Sequence, residues 1–190
     1  MSRHLVVPDS FGDISRSNPL PVMDGAAMFA AASAAAFTPD ATNVEDFFSI
    51  SAPVGRRVQV VEIGWSGMFT AARTWDFLLR KRGALNTGGT STTLTGVELD
   101  TTGIAPAAVV RTYTAQPTGY GPLLGLVWAG KLILPATPPT VTEAAFPGYA
   151  VRYPCWLEEN QVLALANPAG TAPAGQSIMC WVKWNEVVLS

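Results

Sequence analysis

One histidine and two cysteines in 190 residues leave little from which to build a metal centre or thiol chemistry. His4 stands near the N-terminus, while Cys155 and Cys180 lie 25 positions apart far downstream. That inventory excludes a four-ligand zinc site of the usual Cys and His type. It also excludes a Cys-His pair unless His4 folds back from the terminus. Charge is scarce as well. Only 14% of the residues are charged, the formal net charge is −2 and the isoelectric point is about 5.3. A chain whose main work is neutralising nucleic-acid phosphates needs the opposite balance, so no direct nucleic-acid partner is expected. Long apolar runs are missing too: no stretch reaches the eighteen or so residues of a membrane span. The opening MSRHLVVPDSFGD holds no signal-peptide core, so secretion by that route is not expected.

Apolar residues, by contrast, make up 48% of the chain. With so few charges to cover the surface, part of this apolar area is expected to meet another protein. The length suits one domain with an arm. Residues 1–25, with Pro8, Pro19 and Pro21, read as an extended N-terminal arm whose apolar hook is Leu5, Val6 and Val7. Residues 26–190 read as a single domain.

Within that domain the texture is β. Residues 26–37 (AAMFAAASAAAF) have strong helical propensity but no polar face, and small residues also suit a strand packed closely on another sheet, so a strand is expected. Strands are further expected over 47–51, 58–65, 75–82, 94–99 and 109–114. In 58–65 the apolar positions change parity between Val60 and Val61, which predicts a β-bulge there. Residues 123–134 (LLGLVWAGKLIL) predict one buried strand with a bend, and 135–147, containing Pro138 and Pro139, an ordered loop or contact arm. Residues 149–157 and 161–167 predict a hairpin turning at Glu158, Glu159 and Asn160.

The last strand alternates most clearly. Ile178, Cys180, Val182 and Trp184 form a core face, while Met179 and Trp181 share the other with Lys183 and Asn185. Met179 and Trp181 therefore either meet a partner or lie under another part of the same chain. A disulfide between Cys155 and Cys180 would require their strands to be neighbours. Otherwise Cys180 is a small buried thiol. Eight or nine strands with turn signals about every ten residues, and no βαβ alternation, predict an all-β fold, a β-sandwich of jelly-roll type.

The stretch 75–100 (WDFLLRKRGALNTGGTSTTLTGVELD) holds the features most open to a chemical reading. Gly88 and Gly89 invite comparison with a phosphate cradle, but no Lys follows the second glycine and no helical pattern opens there, so a connection between strands is expected. Arg80, Lys81 and Arg82 are either a docking site for an acidic partner or a solvated strand end. The carboxylates Asp76, Glu98, Asp100, Glu143, Glu158, Glu159 and Glu186 fall at turns or strand ends, where acids sit in solvent. No pair stands out for acid-base work, Gly64-Trp65-Ser66-Gly67 lacks the spacing of a nucleophile elbow, and the Glu158 and Glu159 turn is too poor in oxygens for calcium. No catalytic residue, cofactor or metal is expected, and the chain does not read as an enzyme.

Three strings carry a resemblance: residues 78–100, then AAVVRTYTAQPT at 107–118, then QVLALAN at 161–167, followed by a terminal strand rich in Val and Trp. Together they resemble a group of structural proteins of tailed bacteriophages, over roughly 26–186. The resemblance implies a β-sandwich virion component, assembled in the host cytoplasm, with no catalytic residues to carry over. The expected role is a capsid decoration or cement protein, a homo-oligomer and specifically a homotrimer, bound to itself and to other virion proteins such as the major capsid protein. Candidate interface residues are Leu5, Val6, Val7, Arg80, Lys81, Arg82, Met179 and Trp181. The alternative role is a head-fibre or tail-fibre module that recognises a host-surface glycan.

Overall fold

The computed structural model describes residues 27–39, 45–69, 73–100, 103–134, 140–147, 155–168 and 178–189. The expected arm 1–25 and residues 169–177 lie outside these residues. Among the described residues there are twelve strands: β1 (Ala27–Ala32), β2 (Glu45–Ser51), β3 (Arg56–Phe69), β4 (Arg73–Arg82), β5 (Thr90–Leu94), β6 (Val97–Glu98), β7 (Val109–Ala115), β8 (Leu123–Leu134), β9 (Thr140–Pro147), β10 (Cys155–Leu157), β11 (Val162–Asn167) and β12 (Ile178–Val188). They form two six-stranded antiparallel sheets packed face to face as a β-sandwich. Sheet I runs β10-β3-β12-β1-β6, with β9 beside β3 further along. Sheet II runs β5-β7-β2-β11-β4-β8.

The first half of the alanine-rich segment, up to Ala32, is a strand because its alternation has somewhere to go, while residues 33–36 leave the sheet and Phe37 makes only an isolated bridge to Ile178. Ala27, Phe29 and Ala31 are buried, and Phe29 packs on Trp184 of β12 with ring centroids 5.7 Å apart. The parity change in β3 is a bulge, as its pattern predicts: Lys183 faces Glu62 and Trp184 faces Val60, which leaves Val61 as the extra residue. On β12 the core face is as expected, with Ile178, Cys180, Val182 and Trp184 all buried. Between the sheets the aromatic rings form a chain. Trp65 of sheet I lies 4.5 Å from Trp75 and 5.9 Å from Phe77 of sheet II, and Phe47 lies 5.8 Å from Trp75. Such ring pairs each contribute on the order of 0.5–1.5 kcal/mol beyond area burial.

Three expectations are corrected. Residues 123–134 do form one strand, but it is an edge strand, paired among the described residues only with β4, and Leu123, Leu124 and Leu126 are exposed. Two register shifts, at Leu79/Arg80 and Lys81/Arg82, interrupt its pairing with β4. The second part of 135–147 is no loop: β9 occupies Thr140–Pro147 and pairs with β3. Residues 149–157 and 161–167 do not form a hairpin, since β10 pairs with β3 in sheet I and β11 inserts between β2 and β4 in sheet II. The turn at 158–160 crosses from one sheet to the other, with Asn160 at φ 62°. Cys155 and Cys180 sit in strands on opposite sides of β3 and are both free thiols.

Candidate interaction surfaces and a buried charge cluster

The basic end of β4 is not a solvated strand end. Arg82 is buried and grips Asp46 of β2 with two bonds, Nε to Oδ2 at 2.5 Å and Nη2 to Oδ1 at 3.0 Å. Its remaining nitrogen, Nη1, donates to the Gly121 carbonyl at 3.2 Å, and the guanidinium lies 4.5 Å from the centre of the Tyr120 ring. Asn86 adds a third bond to Asp46, Nδ2 to Oδ2 at 3.0 Å, and Arg80 approaches to 3.8 Å. Burial lowers the Arg80 pKa, and Asp46 opposes that effect. Burial also raises the Tyr120 phenol, and the negative charge of Asp46 pushes it the same way. Lys81 points elsewhere, donating from Nζ to the Trp156 carbonyl of β10 at 2.6 Å, a tie between the two sheets. The cluster spends its positive charge internally.

This cluster explains what holds the Gly-Gly loop. Asn86 is anchored to Asp46, and Thr87 forms a bridge with Gly119 through bonds of 2.9 and 3.0 Å. Gly88 and Gly89 then turn at φ 68° and 74°, backbone conformations that suit glycine. A Cβ on Gly89 would meet the Gln116 carbonyl oxygen at 2.5 Å, so the two backbones touch. The loop is a connection between β4 and β5, laid against the turn that precedes β8.

Two acids expected in solvent are not there. Glu186 is buried and accepts from the backbone N–H groups of Ala107 and Ala108 at 3.0 and 2.8 Å and from Trp184 Nε1 at 2.8 Å. Asp100 accepts from the Met28 N–H at 2.8 Å, pinning β1 to the chain after β6. The pattern held a signal for Glu186, which continues the inward parity of Cys180, Val182 and Trp184. Asp46 carried a weaker one, as an acid set directly against the apolar Phe47 and Phe48.

Among the described residues, two apolar surfaces are candidates for interaction. On the outer face of sheet I, Met179 is 41% exposed, and Trp181 is half-buried with its Nε1 donating to Glu62 at 2.7 Å. Lys183 also bonds Glu62, at 3.2 Å. Beside them Ala30, Ala32, Thr95 and Val97 complete a groove of about 420 Å³ with an almost wholly apolar lining. On sheet II, β8 presents Leu123, Leu124 and Leu126, each more than half exposed. The one charged side chain of that strand, Lys131, is paired with Asp76 at 3.3 Å. Of the expected interface residues, Met179 and Trp181 thus lie together on one face. Arg80 and Arg82 meet each other in the Asp46 cluster, and Leu5, Val6 and Val7 lie outside the described residues. Among the described residues no group of three or more His, Cys, Asp and Glu side chains is placed to hold a metal ion. Comparison with known proteins returns no match to a family model, to a curated protein or to a solved structure.

Proposed function

We propose that this protein is a non-enzymatic structural component of a tailed-phage virion, a capsid decoration or cement protein that assembles as a homotrimer. The observation that carries the assembly reading is β8. Edge strands of free-standing proteins are shortened, charged, interrupted by proline or covered, because an open edge templates pairing with another chain. Twelve residues long, β8 combines three exposed leucines with one already neutralised lysine. An interface needs about 1,600 Å² in all, with an apolar centre, and this strand supplies such a centre. The virion placement rests on the resemblance of residues 78–100, 107–118 and 161–167 to phage structural proteins.

We also read the sandwich as a jelly roll. That fold is wound from one long hairpin, so its strands pair in nested fashion. The pairs β1 with β12, β2 with β11, β3 with β9 and β10, and β4 with β8 nest in that way, and the β5–β7 segment is then an insertion at the hairpin tip.

Size-exclusion chromatography with light scattering is the test. The chain is expected to run as a trimer at micromolar concentration, and Leu124→Asp with Leu126→Asp is expected to give a folded monomer with unchanged circular dichroism. A wild-type monomer across that range overturns the assembly reading. Labelling the protein in intact particles and locating it by electron microscopy tests the virion placement, with a signal anywhere but the capsid surface counting against a decoration role.

A further inference from the structure

We propose that the groove on the outer face of sheet I is the seat of this chain's own N-terminal segment, with Leu5, Val6 and Val7 as the side chains that fill it. The groove floor comes from Ala30 and Ala32 of β1, and its walls from Trp181 of β12 and Val97 of β6. Two of its polar side chains are already engaged: Trp181 Nε1 and Lys183 Nζ both bond Glu62. Such a lining, mostly apolar, favours aliphatic side chains. The edge of β1 gives a second reason. β6 pairs with β1 only at Phe29 and Ala30, so beyond Ala30 no described strand lies along that edge. An extended segment laid there gains backbone pairing as well as apolar contact.

Chain length selects the occupant. Residues 1–26 lead directly into β1, whose outward side chains make the groove floor. Leu5, Val6 and Val7 are the one run of three aliphatic residues among them. The 20 positions from Val7 to Ala27 reach up to ~66 Å when extended, at ~3.3 Å per residue. The path back along β1 from Ala27 to Ala32 is only ~17 Å at ~3.4 Å per residue. Val22 and Met23 cannot make that journey, because the few residues between them and Ala27 are too short to reverse and return. Pro19, Pro21 and Gly25, in the stretch that joins hook and strand, are residue types suited to a turn. A tethered segment acts at an effective concentration on the order of millimolar, which favours the chain's own hook over that of a second copy.

Directed cross-linking tests this in the full-length chain carrying Cys155→Ser. Val6→Cys is combined with Val97→Cys, a position 60% exposed on the groove wall. The control combines Val6→Cys with Val54→Cys, 75% exposed beside the start of β3, which pairs with the far end of β12 from Trp181. Under mild oxidation the first pair is expected to link within one chain about tenfold faster than the control, as a local concentration advantage requires. Adding Leu5→Asp and Val7→Asp is expected to remove that advantage. Equal rates for both pairs, a link formed mainly between two chains, or no effect of the aspartates would each overturn the proposal. Circular dichroism on every variant confirms the fold in which the rates are compared.

Discussion

Asp46 is a side chain whose removal would leave a buried charge uncompensated. It is fully buried and neutralises Arg82 through two bonds, so removing it leaves a guanidinium inside the protein without its counter-charge. Breaking a buried pair in this way costs about 3–5 kcal/mol. Asp46→Ala should therefore lower the urea midpoint strongly, while Asp46→Ala with Arg82→Met should recover part of the loss. The cysteines give a second residue-scale prediction. Burial raises the Cys180 thiol well above its ordinary range and raises Cys155 as well. A thiol raised in the folded state keeps its proton where the unfolded chain has begun to lose it. The stabilising contribution is complete below the unfolded pKa, about 8.5, and is lost as pH climbs through the higher folded value. In thiol-labelling experiments near pH 8, Cys180 should react only on unfolding and Cys155 slowly, and stability should decline above pH 9.

Among the elements, the Gly-Gly loop is held by contact as well as by conformation, and the two can be separated by substitution. Gly55 and Gly89 have nearly the same φ, 77° and 74°, but a Cβ at Gly55 meets open space while one at Gly89 collides with backbone. Gly55→Ala should cost about 1–2 kcal/mol from backbone strain. Gly89→Ala should cost clearly more and should also raise amide exchange at Thr87 and Gly119. Elements of this kind were legible to different degrees. Alternation revealed β12, the parity change revealed the Val61 bulge, and the lack of a polar face distinguished β1 from a helix. These are local signals. The exposure of β8 was hidden, because an apolar run reads the same at the edge of a sheet as at its centre. The separation of β10 and β11 was hidden too, since a polar turn after one strand does not say which sheet receives the next. Glu186 and Asp100 were misread for the same reason: the backbone groups that hold them are 78 and 72 residues away.

For the whole molecule, the distribution of charge determines how association should respond to conditions. Arg80 and Arg82 are committed to Asp46, and the surface that remains for a partner on β8 is leucine. The proposed trimer should therefore persist at high salt, where contacts between exposed charges are screened within ~3 Å at 1 M. Light scattering from low to high salt checks this, and dissociation by salt alone would return the interface to charged residues. The candidate site was legible in part. Met179 and Trp181 were found as a pair from their place on one strand, but the groove beside them depends on β6 and on alanines whose smallness matters only in three dimensions.

The pairing of β1 with β12 has a consequence for synthesis of the chain. Residues 27–32 leave the ribosome long before their partners at 181–186 exist. At ~5–20 residues per second, that interval is roughly 7–30 s. Throughout it β1 has no mate on that side, and β3, which shares β12, lacks its principal neighbour as well. Sheet I cannot close until β12 has been made, so closure of this sheet waits for residues 178–188. Until then Phe29, Val60 and Trp65 must be shielded by whatever the nascent chain can offer.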